Sequence, residues 1–130
     1  MPRSATTRAL LSFSAIDEIR DFPTVYGVPT DRLITGPNWS VIADDWADPL
    51  DGSIDQSLAA AGAQTATNFW YTGSLDDGSL ANNTCTGWTD GSTLFDGRYG
   101  VTSSTTGARI NNNSASCGSS LYHVLCLAWR

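Results

Sequence analysis

Ser116-Cys117-Gly118-Ser119-Ser120-Leu121-Tyr122-His123-Val124-Leu125-Cys126-Leu127-Ala128-Trp129 puts an apolar run directly behind a cysteine loop. The run over 121–129 carries Leu, Tyr, Val, Leu, Leu and Trp with few polar breaks, which suits a strand covered on both faces better than one alternating between core and water. It is expected to be the central strand. Residues 107–120 before it are rich in Gly, Ser, Asn and Thr, which favour turns and supply no core. So long an excursion needs fastening to the strand that follows. Cys85 and Cys117 are the natural pin, and a bridge between them would stabilise the fold by roughly 3 to 4 kcal/mol through the loop it closes in the unfolded chain.

The 130 residues suit a single domain, 1–130, with room for a core that does not depend on crosslinks. No apolar run approaches the length of a bilayer-spanning helix, and residues 1–7 lack the apolar centre of a signal peptide. The chain is therefore expected to be soluble and to be a processed piece of a longer parent. Its seven basic residues are all arginine and face thirteen acidic ones, for a formal charge of −6. That balance argues against nucleic acid, anionic membranes and heparin as partners. Abundant Gly, Ser, Thr, Asn and Trp point to a loop-rich, mostly β protein.

Three cysteines are an odd set, which in a secreted protein means a free thiol, an intermolecular bridge or a partner lost with a missing segment; the last is preferred here. Zinc is a poor alternative, because no CxxC pair occurs and His123 is the only histidine. The sequons at Asn38, Asn82 and Asn112 mark exposed loops more reliably than glycans.

Along the chain, 8–13 is a short apolar strand candidate. Ser14 then stands where an N-cap belongs, with Asp17 and Glu18 in the first turn and Ile16 and Ile19 spaced to share a face, so a brief helix is expected to end before Pro23. From 22 to 51, prolines at 23, 29, 37 and 49 interrupt regular structure, leaving room for a small strand over 41–43. The stretch 67–73 reads as a strand dense in aromatics, with Trp70 as a core anchor. The Asp77-Gly78 pair then makes 74–79 a turn.

Aspartates crowd 44–55, at Asp44, Asp45, Asp48, Asp51 and Asp55. The alternating oxygens of Asp51, Ser53 and Asp55 are what calcium would use, and Asp76 and Asp77 offer a second pair. Solvated turns are the competing explanation and the one preferred, since Asp also closes turns. No cofactor is expected beyond that calcium option.

Taken together, Phe69-Trp70-Tyr71-Thr72-Gly73-Ser74, Cys85-Thr86-Gly87-Trp88, Ala115-Ser116-Cys117 and Val124-Leu125-Cys126, with Arg8-Ala9-Leu10-Leu11-Ser12 upstream, resemble the endostatin-like branch of the C-type-lectin-like fold. That branch includes the C-terminal domains of collagens XV and XVIII and bacterial surface and secreted proteins. The resemblance implies an α+β domain with a short N-terminal helix, a small antiparallel sheet and long irregular loops. It also implies two nested disulfides, with Cys85–Cys117 the inner one and Cys126 left unpaired, its partner lying upstream of the first strand. The domain would then be truncated at its N-terminus. The histidine-rich zinc site and the basic heparin surface of endostatin have no counterpart here, so no zinc ligand is carried over. Trp88-Thr89-Asp90 echoes the Trp-Asn-Asp of sugar-binding lectins without the Glu-Pro-Asn or Gln-Pro-Asp loop that accompanies it, and is read as accidental.

Nucleophilic catalysis needs an oriented base, and strand alternation would turn His123 away from Cys126. Carboxylates lie mostly in turn contexts, and phosphate-cradling glycine motifs are missing. The expectation is a non-enzymatic recognition or adhesion module, secreted or at a cell surface, with a protein or glycan ligand. In the resembled fold the long loop between cysteines faces the ligand, which directs attention to 87–113. There Phe95, Arg98, Tyr99 and Arg109 are the candidate contacts, while Trp88 is read as a loop anchor. A calcium-dependent carbohydrate-binding lectin is the alternative.

Overall fold

The computed structural model describes residues 5–63 and 67–130. Residues 1–4 of the N-terminal stretch read above therefore lie outside the described residues. The described residues form an α+β domain with little helix and three small antiparallel sheets. Strand β1 (Thr6–Ala9) pairs with β7 (Cys126–Trp129), β2 (Ile34–Thr35) with β3 (Val41–Ala43), and β4 (Phe69–Tyr71), β5 (Asp96–Val101) and β6 (Asn113–Ser116) form a three-stranded sheet in that order. Among the described residues no helix is long and apolar enough to cross a membrane.

The N-terminal helix differs from its expectation. Helix α1 spans Phe22–Tyr26, after a 3-10 turn at Ile19–Asp21, and so begins where the sequence reading stopped. Pro23 sits in the first turn, where its missing N–H leaves no bond unmade. Gly27 ends the helix at φ +72°, donating to the Pro23 carbonyl at 3.0 Å. Ser14 caps nothing; it forms a tight turn with Asp17, and Ile16 is left 83 % exposed. Asp17 and Glu18 are spent elsewhere. Asp17 pairs with Arg8 at 2.7 Å and accepts from the Tyr26 hydroxyl at 2.6 Å, and the buried Glu18 accepts from Arg20 and from the Leu80 N–H. The Arg8 guanidinium lies over the rings of Phe13 and Tyr26, at 4.6 and 4.1 Å from their centroids, which ties β1 to α1.

The expectation of a central C-terminal strand is also corrected. Only Cys126–Trp129 is strand, it pairs with β1 alone, and its residues alternate between exposed and half-buried. Residues 121–129 serve two sheets. Leu127 and Trp129 pack on the core of Ile19, Phe22, Val28, Trp46 and Ile110, while His123 bridges to Trp70 beside β4 and Tyr122 joins the rings on that sheet. A second core of Ile42, Ala43, Ile54 and Ala61 lies under β3, with Ile34 touching both.

Strand β5 holds the centre, and its glycines explain how. A Cβ at Gly97 would stand 2.8 Å from the Tyr71 ring and 2.9 Å from the Cys85 sulfur, and one at Gly100 would stand 2.0 Å from the Arg109 carbonyl oxygen. Only glycine allows so close an approach. Trp70, 2 % exposed, fills the space beneath, its indole N–H donating to that same Arg109 carbonyl at 2.9 Å. The anchor role expected of Trp70 and the strand expected at 41–43 are both present.

Candidate functional site

Cys85 and Cys117 are bonded, with Cα atoms 5.7 Å apart across 32 positions. The bridge draws the short turn Cys85–Trp88 onto the β5–β6 edge. That turn is left-handed: Cys85, Thr86, Gly87 and Trp88 all have φ between +50° and +66°. Each non-glycine residue there costs on the order of 1 kcal/mol. The disulfide, a bond from the Gly87 N–H to the Thr84 hydroxyl, and a bond from the Trp88 indole N–H to the Ser12 carbonyl at 2.9 Å hold it in place. Trp88 is thus the loop anchor expected.

This clasp frames an aromatic face. Phe69 and Tyr71 alternate along β4 and point the same way, Tyr99 stands opposite Tyr71 on β5, and Tyr122 lies across all three. The Tyr99 and Tyr122 centroids are 4.7 Å apart, Phe69 lies 5.4 Å from Tyr99 and 5.3 Å from Tyr122, and Tyr71 lies 5.6 Å from Trp88. Phe69, Tyr99, Tyr122 and Trp88 are only half-buried, so the face offers ring surface to solvent. The Tyr71 hydroxyl donates to the Ser116 carbonyl at 2.5 Å, and Asn112 donates to the Tyr99 hydroxyl at 3.3 Å. Burial raises the pKa of Tyr71 and Tyr122, with neighbouring phenols adding to it.

The four candidate contacts are dispersed. Tyr99 belongs to the aromatic face, and Phe95, just before β5, is exposed and accepts from the Cys117 N–H through its carbonyl. Arg98 points to the opposite side of β5 from Tyr99 and donates to the Asn83 side chain at 3.3 Å. Arg109 is not presented to a ligand. It is 3 % exposed and its guanidinium donates to the Thr106 carbonyl at 2.9 Å, because the chain folds back there over Gly100. Cys126 is exposed on β7 and bonded to neither other cysteine.

Of the acidic residues named for calcium, Asp55 alone belongs to a group of three acidic side chains close enough to share an ion among the described residues. Asp51 accepts from the Ser53 N–H as a local turn, and Asp77 accepts from both the N–H and the hydroxyl of Ser79, which lower its pKa. Asp76 lies against Gly107. Among the described residues the one group of three carboxylates with oxygens within 4.8 Å of one another is Asp44, Asp48 and Asp55. Partial desolvation and the neighbouring Asp44, Asp48 and Asp51 raise the pKa of Asp55. Asp48 also accepts from the Asp44 N–H at 3.0 Å, which closes the turn.

Phe69 and Tyr122 were not singled out by the sequence reading as surface residues. The pairing of Phe69 with Tyr71 was legible as strand alternation, whereas nothing local assigns Tyr122 to a strand fifty residues upstream. No protein-family model matches the chain, and no curated protein matches it.

Proposed function

We propose that this chain is a non-enzymatic extracellular recognition module, with a C-type-lectin-like architecture of the endostatin-like kind, that meets its ligand on the aromatic face. The observation that supports this most is the half-buried cluster of Phe69, Tyr99, Tyr122 and Trp88, held in position by the Cys85–Cys117 bond. Tyrosine and tryptophan supply rigid contact area at low conformational cost and are enriched in recognition surfaces. Phe95, exposed and bonded through its carbonyl to the Cys117 N–H, would add to the same surface. A disulfide that stabilises the fold suits an oxidising compartment, secreted or at a cell surface. The acidic charge suits protein or neutral glycan ligands better than nucleic acid or heparin.

Binding of the purified domain to arrays of glycans and extracellular proteins tests this reading. Specific binding that is lost in Tyr99→Ala and Phe95→Ala, with folding intact, supports it. Binding that survives both changes counts against this face.

A second reading, a calcium-dependent carbohydrate-binding lectin, is favoured by the grouping of Asp44, Asp48 and Asp55. Calcium bound to the folded state must raise Tm, and a chelator must reverse the rise. A rise abolished by Asp48→Asn and accompanied by sugar binding would favour that reading over the metal-free one.

A further inference from the structure

Among the described residues strand β7 is paired along one edge only. Leu10 donates to the Leu125 carbonyl at 2.8 Å, and the β1–β7 register continues from that pair through Arg8 opposite Leu127 and Thr6 opposite Trp129. In an antiparallel ladder bonded and non-bonded pairs alternate, so Leu127 and Trp129 bond to β1 while the N–H and C=O of Cys126 and Ala128 turn to the other side. Among the described residues those four groups have no partner. They border a groove of about 640 Å³ whose far wall is formed by residues 28–39.

The groove walls are aromatic and cationic. Trp39, Trp46 and Trp129 line it, and among the described residues its only charged side chains are Arg32 and Arg130, on a protein of net charge −6. Trp39 sits at the tip of the β2–β3 hairpin, 84 % exposed, at φ +69°. The loop holds it there: the Trp39 N–H bonds to the Gly36 carbonyl at 2.9 Å, and Asn38 bonds to the Ala60 carbonyl and the Ser40 N–H. A large ring kept in water at a conformational cost has no role in the core. Leu33, 60 % exposed, stands beside it on the same wall. The buried indole N–H of Trp46, which also lines the groove, has no acceptor among the described residues.

We infer that this groove docks an extended peptide of a partner protein, which adds a strand to β7, sets apolar side chains against the tryptophans and places acidic side chains by Arg32 and Arg130. Main-chain bonds to Cys126 and Ala128 would supply affinity, and alternate side chains would supply selectivity. The arginines fix the sign of the partner's charge. This surface is separate from the aromatic face, and the inference stands whether or not that face binds a ligand.

The test uses a terminally blocked hexapeptide alternating valine and aspartate, titrated into the whole chain and followed by amide NMR shifts and by the rate at which a thiol reagent modifies Cys126. Saturable shifts confined to 28–39 and 125–130, with slower modification of Cys126, are expected. The matching valine–lysine peptide should bind roughly tenfold more weakly or worse. Ala128→Pro removes one groove-facing N–H while sparing the bonds to β1, and should abolish binding. Should that variant fail to fold, Trp39→Ala and Arg32→Glu carry the same test from exposed positions. Equal binding of both peptides, or binding unchanged in Trp39→Ala and Arg32→Glu, overturns the inference. So do groove shifts that appear on raising protein concentration alone, which would assign the edge to a second copy of the chain.

Discussion

On the face of β4 and β5 the half-buried rings touch one another, whereas beside β7 Trp39 stands almost wholly in solvent across a groove from unpaired backbone. Tyr71, Tyr99, Tyr122 and Phe69 share contacts at 4.7 to 5.4 Å, so each ring shields its neighbours and deleting one opens a hole. Trp39 shields almost nothing. The difference separates two placements of aromatic side chains: on the first surface the exposed rings also support one another, whereas on the second Trp46 and Trp129 belong to the core and Trp39 alone is a ring the fold would do without.

The largest expected effect lies beneath the first surface. Trp70→Ala should lower the unfolding free energy by about 3 to 5 kcal/mol, as for other buried tryptophans, measured by urea titration. Replacing both Cys85 and Cys117 by alanine should cost roughly 3 kcal/mol and disperse the ring-shifted tyrosine signals, with the β7 amides left in place. Tyr122→Ala should cost about 2 kcal/mol. Trp39→Ala, by contrast, should change stability by no more than about 0.5 kcal/mol, and Trp39→Gly should raise it by up to about 1 kcal/mol by relieving the left-handed backbone. Equal losses from Tyr122→Ala and Trp39→Ala would erase the contrast.

A pH dependence sharpens it further. Tyr71 and Tyr122 hold their protons more tightly in the folded state, chiefly through burial, so the folded state binds more protons once pH passes the ordinary phenol value of 10.0. The stability they contribute is fully present below that value and is lost as pH rises through their folded pKa values. Urea midpoints should therefore fall above pH 10, and the fall should shrink in Tyr71→Phe with Tyr122→Phe. A fall of equal size in the double variant would assign it to other groups.

The aromatic half of the molecule was largely legible in the sequence. The strand expected over 67–73, of which Phe69–Tyr71 forms, the Trp70 anchor, the Asp77-Gly78 turn and the Cys85–Cys117 bond all rest on local chemistry or on the need to fasten a polar loop. The centre of the sheet was not, because Gly97 and Gly100 give β5 a poor strand signal, and their reason for being there is the approach of Tyr71, Cys85 and Arg109 from distant parts of the chain. The apolar character of 121–129 was read correctly and its cause misassigned, since the segment divides between two sheets that alternation cannot distinguish. Arg109 looked like a surface guanidinium among small polar residues, and only the fold over Gly100 buries it. The groove escaped notice because Trp39, Trp46 and Trp129 come together through tertiary packing alone.

Amide hydrogen exchange along β7 tests the contrast between the two surfaces most directly. The account predicts alternation, with Leu127 and Trp129 protected by their bonds to β1 and Cys126 and Ala128 exchanging near the rate of an unstructured chain. Uniform protection at all four amides would mean that the edge is already closed, and would contradict it.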